Sequence, residues 1–316
     1  MMNLKVLFVG VGSIAKRHIM NLSKLMHTSG GTLVVDVFRS GAGRALDADV
    51  ACLVSNVYSD YEAVPDDYDA VFITNPTQLH LDTLERFHSK GRHFFIEKPL
   101  CTAAQLKDVK HDFFRKDSVY YVACPLRYTG VIQHIKHNIP VESVRSVRSI
   151  SSSYLPDWRP GTDYRKTYSA SRELGGGVSI DLIHEWDYLY YLFGAPSHVC
   201  NVIDKVSDLE IDSDDIALYI AKYPHMTVEL HLDYFGRVPI RKIELFTDKD
   251  IVVCDLINGS VTYEKGRKII KFPTDRDTWQ TAELAYFIEL IINKEYGVAN
   301  IETAQKVLAI AGGIKL

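Results

Sequence analysis

From residue 4 to about residue 122, short apolar runs alternate with longer amphipathic ones. Lys5–Val9, Leu33–Phe38, Asp69–Thr74, His93–Ile96 and Val119–Val122 are rich in Val, Ile and Phe. They are apolar on both faces, as buried parallel strands are. Between them, Ile14–Met26, Leu79–Lys90 and Ala103–Phe114 carry helical spacing, the last opened by a Thr102/Gln105 capping box. Strand and helix taking turns predicts βαβ units and a doubly wound parallel sheet. Leu4–Gly10 lacks the small-residue cleavage site of a signal peptide, and a glycine-rich turn and charged helix follow at once. It is read as the first strand.

Beyond residue 122 the texture changes. Val144–Tyr154 and the segments between Val199 and Phe272 read as strands, several with one wetted face. Pro224-His225, Asp248-Lys249-Asp250 and Asn258-Gly259 punctuate them. One strong helix is expected over Ser179–Phe193, with two more near 279–293 and 301–312. The fold class predicted is an α/β Rossmann domain, residues 1–122, plus an α+β C-terminal domain with an open, largely antiparallel sheet, residues 123–316. Leu155–Gly177, rich in Arg, Tyr, Gly and Ser, lacks periodicity and reads as a functional loop.

Composition narrows the function classes. At 316 residues, 47% hydrophobic and 24% charged, the chain is of globular type. The formal charge of −4 advertises no basic face, so neither nucleic acid nor a membrane surface is an expected partner. No apolar run approaches the ~18 residues of a membrane span. The cysteines Cys52, Cys101, Cys124, Cys200 and Cys254 are scattered and never spaced Cys-x-x-Cys. No disulfide framework or metal site is expected, and the cytoplasm is the expected location.

Three motifs carry candidate chemistry. Gly10-Val11-Gly12-Ser13-Ile14-Ala15 is a G-x-G-x-x-A between strand and helix. Gly10 permits the tight turn, Gly12 lets backbone approach a pyrophosphate, and small Ala15 allows helix–strand packing. The helix N-terminus offers N–H groups to phosphates at Ser13 and Ile14. An ordinary βα turn is the competing explanation. In Asp36-Val37-Phe38-Arg39-Ser40, Arg39 and Ser40 occupy the place that reads the ribose, with Asp36 too early. NADP is therefore expected over NAD, although Arg39 stacked on an adenine, or simply solvated, would suit either.

Glu97-Lys98-Pro99 ends a buried strand, the position where open α/β sheets bind ligands. Lys98 there is a candidate acid–base group; a solvated loop lysine is the alternative. After Gly175-Gly176-Gly177, a helix carries Asp181, His184 and Asp187 at i, i+3 and i+6, where residues three apart share a face. A proton relay fits, as do helix capping by Asp181 and a core histidine. Metal binding lacks a third ligand at suitable spacing.

Gly10–Ala15, Thr74-Asn75-Pro76-Thr77-Gln78-Leu79-His80, Glu97-Lys98-Pro99 and Gly175–Asp187, in this order, resemble the Gfo/Idh/MocA oxidoreductases, relatives of glucose–fructose oxidoreductase and inositol dehydrogenase. The resemblance spans essentially the whole chain. It implies hydride transfer between a nicotinamide and a secondary alcohol or ketone of a sugar, inositol or sugar nucleotide. It implies that Lys98 transfers the proton with His184 as partner and Asp181 nearby. Coenzyme contacts would come from the glycine motif, Arg39, Ser40, Thr74, Asn75, Pro76, His80, Glu97 and Lys98. Lys98, Arg127, Tyr164, Arg165, Asp181 and His184 would meet substrate. A homo-oligomer, dimer or tetramer, through the C-terminal sheet is also implied. One departure stands out: the family commonly spaces its pair Asp-x-x-x-His, whereas here it is Asp181-x-x-His184, and Asp187 can share the role. A glycoside-cleaving enzyme using tightly held NAD and a non-catalytic dinucleotide sensor are the alternatives.

Overall fold

A computed structural model describes residues 3–41, 45–296 and 300–314. The chain forms two compact units, residues 1–125 with 276–305 and residues 126–275 with 306–316.

In the first unit, strands β1 (Asn3–Val9), β2 (Thr32–Phe38), β3 (Asn56–Tyr58), β4 (Tyr68–Ile73), β5 (Gly91–Ile96) and β6 (Tyr120–Val122) form one parallel sheet in the order β3-β2-β1-β4-β5-β6. Helices α1 (Ser13–Thr28), α2 (Ala48–Ala51) and α3 (His80–Arg86) lie between these strands in the chain. The Rossmann topology expected from the alternating pattern is observed. Its core is an aromatic ladder. Phe8, Phe72, Phe95 and Tyr121 face one another in register across β1, β4, β5 and β6, with ring centroids 4.4, 5.0 and 5.4 Å apart. Phe287 of a later helix (Arg276–Ile292) meets Phe72 and Phe95 edge-on. That helix is pinned to α1 by Arg17 and Asp277, 2.7 Å apart.

The second unit is built on strands β7 (Val144–Tyr154), β8 (His198–Asp204), β9 (Ile216–Lys222), β10 (Thr227–Asp233), β11 (Phe235–Thr247), β12 (Ile251–Asp255), β13 (Ser260–Tyr263) and β14 (Lys268–Lys271). They pair in the order β14-β13-β12-β11-β7-β10-β9-β8. Among the described strands of this sheet only β10–β7 is parallel, so the sheet is largely antiparallel, as expected. Helices α4 (Gly130–Asn138), α5 (Val178–Asp181) and α6 (Ile183–Phe193) belong to this unit. The Arg276–Ile292 helix is α7, and α8 (Ile301–Ala311) begins in the first unit and ends in the second.

Two expected helices differ. Ala103–Phe114 is two 3-10 helices, Ala103–Asp108 and His111–Phe113, although the capping box forms as read. Val109 and Lys110 are extended. Phe113 packs on His88 and Phe114 on Tyr120, so tertiary contacts override helical spacing. Ser179–Phe193 is interrupted at Leu182, whose φ of −94° and ψ of 29° separate α5 from α6. The shared-face geometry expected of Asp181 and His184 is therefore broken, because they belong to different helices. His184 and Asp187 keep it.

Candidate functional site

The glycine turn joins β1 to α1. Gly10 has φ +85°, its N–H donates to the Phe38 carbonyl at 2.9 Å, and its own carbonyl accepts from Thr74 Oγ1 at 2.7 Å. A Cβ here would lie 2.8 Å from Asn75 Cα, whereas one at Gly12 would enter open space. The first glycine is thus required by the fold and the second leaves a bare approach to backbone. Ala15 is completely buried. The first turn of α1 has no side-chain cap and no acidic residue, so its N–H groups and positive dipole end suit a phosphate. Ser13 is exposed and Ile14 half-buried.

At the end of β2, Asp36 is buried, accepting from the Tyr68 hydroxyl at 2.7 Å and from Asn56 Nδ2 at 2.9 Å. Its carboxylate is committed inside the sheet. Arg39 continues the strand end, its N–H donating to Tyr58 O at 3.0 Å, and Ser40 is exposed. After β4, Asn75 Nδ2 donates to Thr83 Oγ1 at 2.6 Å while its Oδ1 is buried without a hydrogen-bond partner. Pro76 precedes a 3-10 turn, Thr77–Leu79, that leads into His80. His80 is buried between two carbonyl oxygens, Pro99 O at 2.9 Å from Nδ1 and Asn75 O at 3.0 Å from Nε2. Burial pulls its pKa below the ordinary value, outweighing those two carbonyls and Glu97. A neutral imidazole donates to only one of the carbonyls.

Lys98 follows β5 and precedes a cis Pro99. Glu97 Oε1 lies 2.6 Å from His18 Nε2, and Oε2 accepts the Lys98 N–H at 3.2 Å. Burial pushes the Glu97 carboxyl upward, but the His18 contact and the Lys98 charge and N–H prevail and hold it below its ordinary range. Sequence reasoning missed His18. Its signal was a histidine on the apolar stripe of α1, among Ala15, Ile19, Leu22 and Met26.

In the second unit, Gly176 and Gly177 let backbone pack where side chains would collide. A Cβ on Gly176 would lie 2.0 Å from Tyr168 O, and one on Gly177, at φ +128°, 2.2 Å from Asp214 Oδ1. Asp214 Oδ2 accepts the Ser179 N–H at 2.9 Å, and burial raises its carboxyl. Asp181 is buried and accepts from the Tyr234 hydroxyl at 2.5 Å. The Tyr168 phenol also lies in the field of that carboxylate. Burial, then the Asp181 charge, drives both phenols above their ordinary range. Neither tyrosine was singled out from sequence, since their approach to Asp181 is made only in the folded chain.

His184 is half-buried on α6. One turn on, Asp187 accepts two bonds from Arg127, at 2.8 Å from Nε and 2.6 Å from Nη2, and the guanidinium also lies 5.2 Å from the Tyr191 ring. Arg127 is thus paired with Asp187. On the long loop, the exposed Arg165 binds Asp163 and Glu210, and Tyr164 Oη accepts the Glu210 N–H. Trp158 meets Tyr234 edge-on at 5.2 Å and Arg159 lies over the Tyr168 ring. Leu155, Trp158, Arg159, Tyr164 and Ser169 line a void of about 10 Å³, water-sized at most. Among the described residues, no group of three or more His, Cys, Asp or Glu could hold a metal ion. No described helix is long and apolar enough to cross a membrane.

These features are those of a Rossmann-type α/β unit with an open glycine turn at a helix N-terminus. Residues 4–124 match the Gfo/Idh/MocA family model, described as "Oxidoreductase family, NAD-binding Rossmann fold". The match covers the N-terminal part of the chain, where the glycine turn and Glu97-Lys98-Pro99 lie. An uncharacterized oxidoreductase, YrbE, of Bacillus subtilis (strain 168) is 24% identical over 189 residues, 59% of this chain and 53% of that protein. The chain thus spans about half the length of that curated relative. Among solved structures, a levoglucosan dehydrogenase in complex with NADH superposes with a TM-score of 0.82 at 19% identity, covering 99% of this chain and 96% of that one. A UDP-N-acetylglucosamine 3-dehydrogenase from Acidithiobacillus ferrooxidans gives 0.76 at 21% identity, covering 99% and 97%. A myo-inositol 2-dehydrogenase from Lactobacillus plantarum gives 0.74 at 17%, covering 98% and 96%. At these identities the likeness is one of fold.

Proposed function

We propose that the protein is an NAD(P)-dependent dehydrogenase or reductase acting on a CH–OH or keto group of a sugar, inositol or sugar nucleotide. The observation carrying this reading is Lys98, placed at the carboxyl end of β5 with its N–H on Glu97, in the unit that also bears the glycine turn. Bare backbone at Gly12, the uncapped α1 terminus and the orphaned Asn75 Oδ1 fit a dinucleotide. When bound, the nicotinamide supplies the hydride acceptor or donor. Lys98 takes the proton of the reacting hydroxyl in oxidation. In reduction it returns a proton to the developing alkoxide, whose charge the ammonium stabilises. His184 is proposed as its partner and Asp181 as a substrate ligand, with Arg127, Tyr164 and Arg165 as further substrate contacts.

NADP is proposed over NAD because Asp36 is committed to Tyr68 and Asn56 while Arg39 and Ser40 close the strand. Cytoplasmic residence is proposed from the five free cysteines. A homo-oligomer is proposed through the second sheet, where Val202 and Ile220 are exposed on adjacent strands; sedimentation at varied concentration tests it. Lys98→Met tests the chemistry: kcat should fall ~10²–10⁴-fold with coenzyme affinity, read by nicotinamide fluorescence with NADH and NADPH, nearly intact. Full turnover of a sugar or polyol substrate in that variant would overturn the assignment. Tighter binding of NADH than NADPH would reverse the coenzyme preference.

A further inference from the structure

Lys98 sits between two residues that buried imidazoles hold. On one side, His18 of α1 has no exposed surface and its ring packs edge-on against Phe95 at 5.1 Å. Its Nε2 lies 2.6 Å from Glu97 Oε1; a carboxylate only accepts, so Nε2 carries the proton. The other Glu97 oxygen accepts the Lys98 N–H at 3.2 Å. On the other side, His80 contacts Pro99 O at 2.9 Å and Asn75 O at 3.0 Å. The main chain is thus fixed immediately before and after Lys98.

Stability alone does not account for this arrangement. His18 Nδ1 is buried with no hydrogen-bond partner, which costs free energy. Apolar residues of similar volume often replace a buried polar pair without loss. The helix that bears His18 also presents the uncapped first turn beside the glycine motif. Seating of the phosphates and placement of Lys98 are therefore tied to one rigid element.

We propose that His18 is a positioning residue for Lys98, acting through Glu97, with His80 anchoring the far side of the same turn. The inference rests on the reading of Lys98 as the proton-transfer residue. The test uses the full chain carrying His18→Leu, His18→Asn or His18→Gln, each in wild-type and Lys98→Met backgrounds. Apo melting temperature, coenzyme affinity by fluorescence titration, substrate KM and kcat are measured.

The expected result in His18→Leu is a lowered melting temperature, because the Glu97 carboxylate loses a donor, with coenzyme affinity and KM near-unchanged and kcat reduced ~10–100-fold, the scale of a misplaced catalytic group. His18→Gln, whose amide nitrogen reaches the same carboxylate oxygen, recovers most of the loss, and the shorter His18→Asn does not. In the Lys98→Met background His18→Leu costs no further rate. If His18→Leu does not fold, the Asn and Gln variants give the same split. Retained kcat in folded His18→Leu or His18→Asn, no rescue by Gln, or an equal loss in both backgrounds overturns the proposal. Full turnover by Lys98→Met alone would instead overturn the functional reading on which it stands.

Discussion

The candidate residues of the two units are held in different ways. Around Lys98, side chains mostly grip main chain: Thr74 the Gly10 carbonyl, His80 the carbonyls of Asn75 and Pro99, Glu97 the Lys98 N–H. Around α5 and α6, side chains grip side chains: Tyr234 binds Asp181, and Arg127 binds Asp187. Gripping the main chain fixes where a loop lies and constrains few neighbouring side chains. Gripping a carboxylate sets its charge and direction. The first unit is thus arranged as a main-chain platform and the second as a set of side-chain pairs.

The most damaging test of that contrast is Gly10→Ala. The left-handed backbone alone disfavours it by ~1–3 kcal/mol, and the new methyl would strike the Asn75 main chain. Melting temperature should drop and coenzyme affinity should be lost together in a fluorescence titration. A variant that still bound coenzyme normally would show that the platform is not rigid. Tyr234→Phe comes next. It leaves a buried carboxylate short of one donor, at a cost of ~1–3 kcal/mol. Calorimetry should show lower stability and kinetics a raised substrate KM, with coenzyme affinity intact; weakened coenzyme binding would erase the distinction between the units.

A smaller effect concerns acid stability. Glu97 titrates below its ordinary pKa in the folded chain. The unfolded chain therefore binds the proton first, and the Glu97 contribution is present above the ordinary value and lost as pH falls below it. Melting temperature of Glu97→Gln should decline less steeply than wild type below about pH 4.5. Parallel curves would mean that His18 does not hold the carboxylate. Least of all should follow from Arg165→Ala, because Arg165, Asp163 and Glu210 meet at the surface. Its melting temperature should match wild type. Its substrate KM should rise as a proposed contact is lost, and an unchanged KM would remove Arg165 from the substrate contacts.

Much of the fold was legible because burial writes itself into local patterns. Runs such as Phe94-Phe95-Ile96 have no wet face, so they read as interior parallel strands, and the Thr102/Gln105 box formed as its spacing implied. The breaks were not legible. Nothing local to Leu182 announces that the helix stops there, and nothing local to Val109 announces an extended residue. Likewise nothing local to His18 announces its partner Glu97, 79 residues away along the chain.

The amino-acid pattern by itself determined the alternation of buried strands and helices, the glycine turn and the Glu97-Lys98-Pro99 ending. Each depends on steric or hydrophobic preferences acting over a few neighbouring residues. Only the tertiary structure decided which carboxylates are already engaged. Asp36 goes to Tyr68, Asp181 to Tyr234, Asp187 to Arg127 and Glu97 to His18. A charge withdrawn from water takes whatever donor the folded chain brings within reach, and that donor is set by topology, not by adjacency.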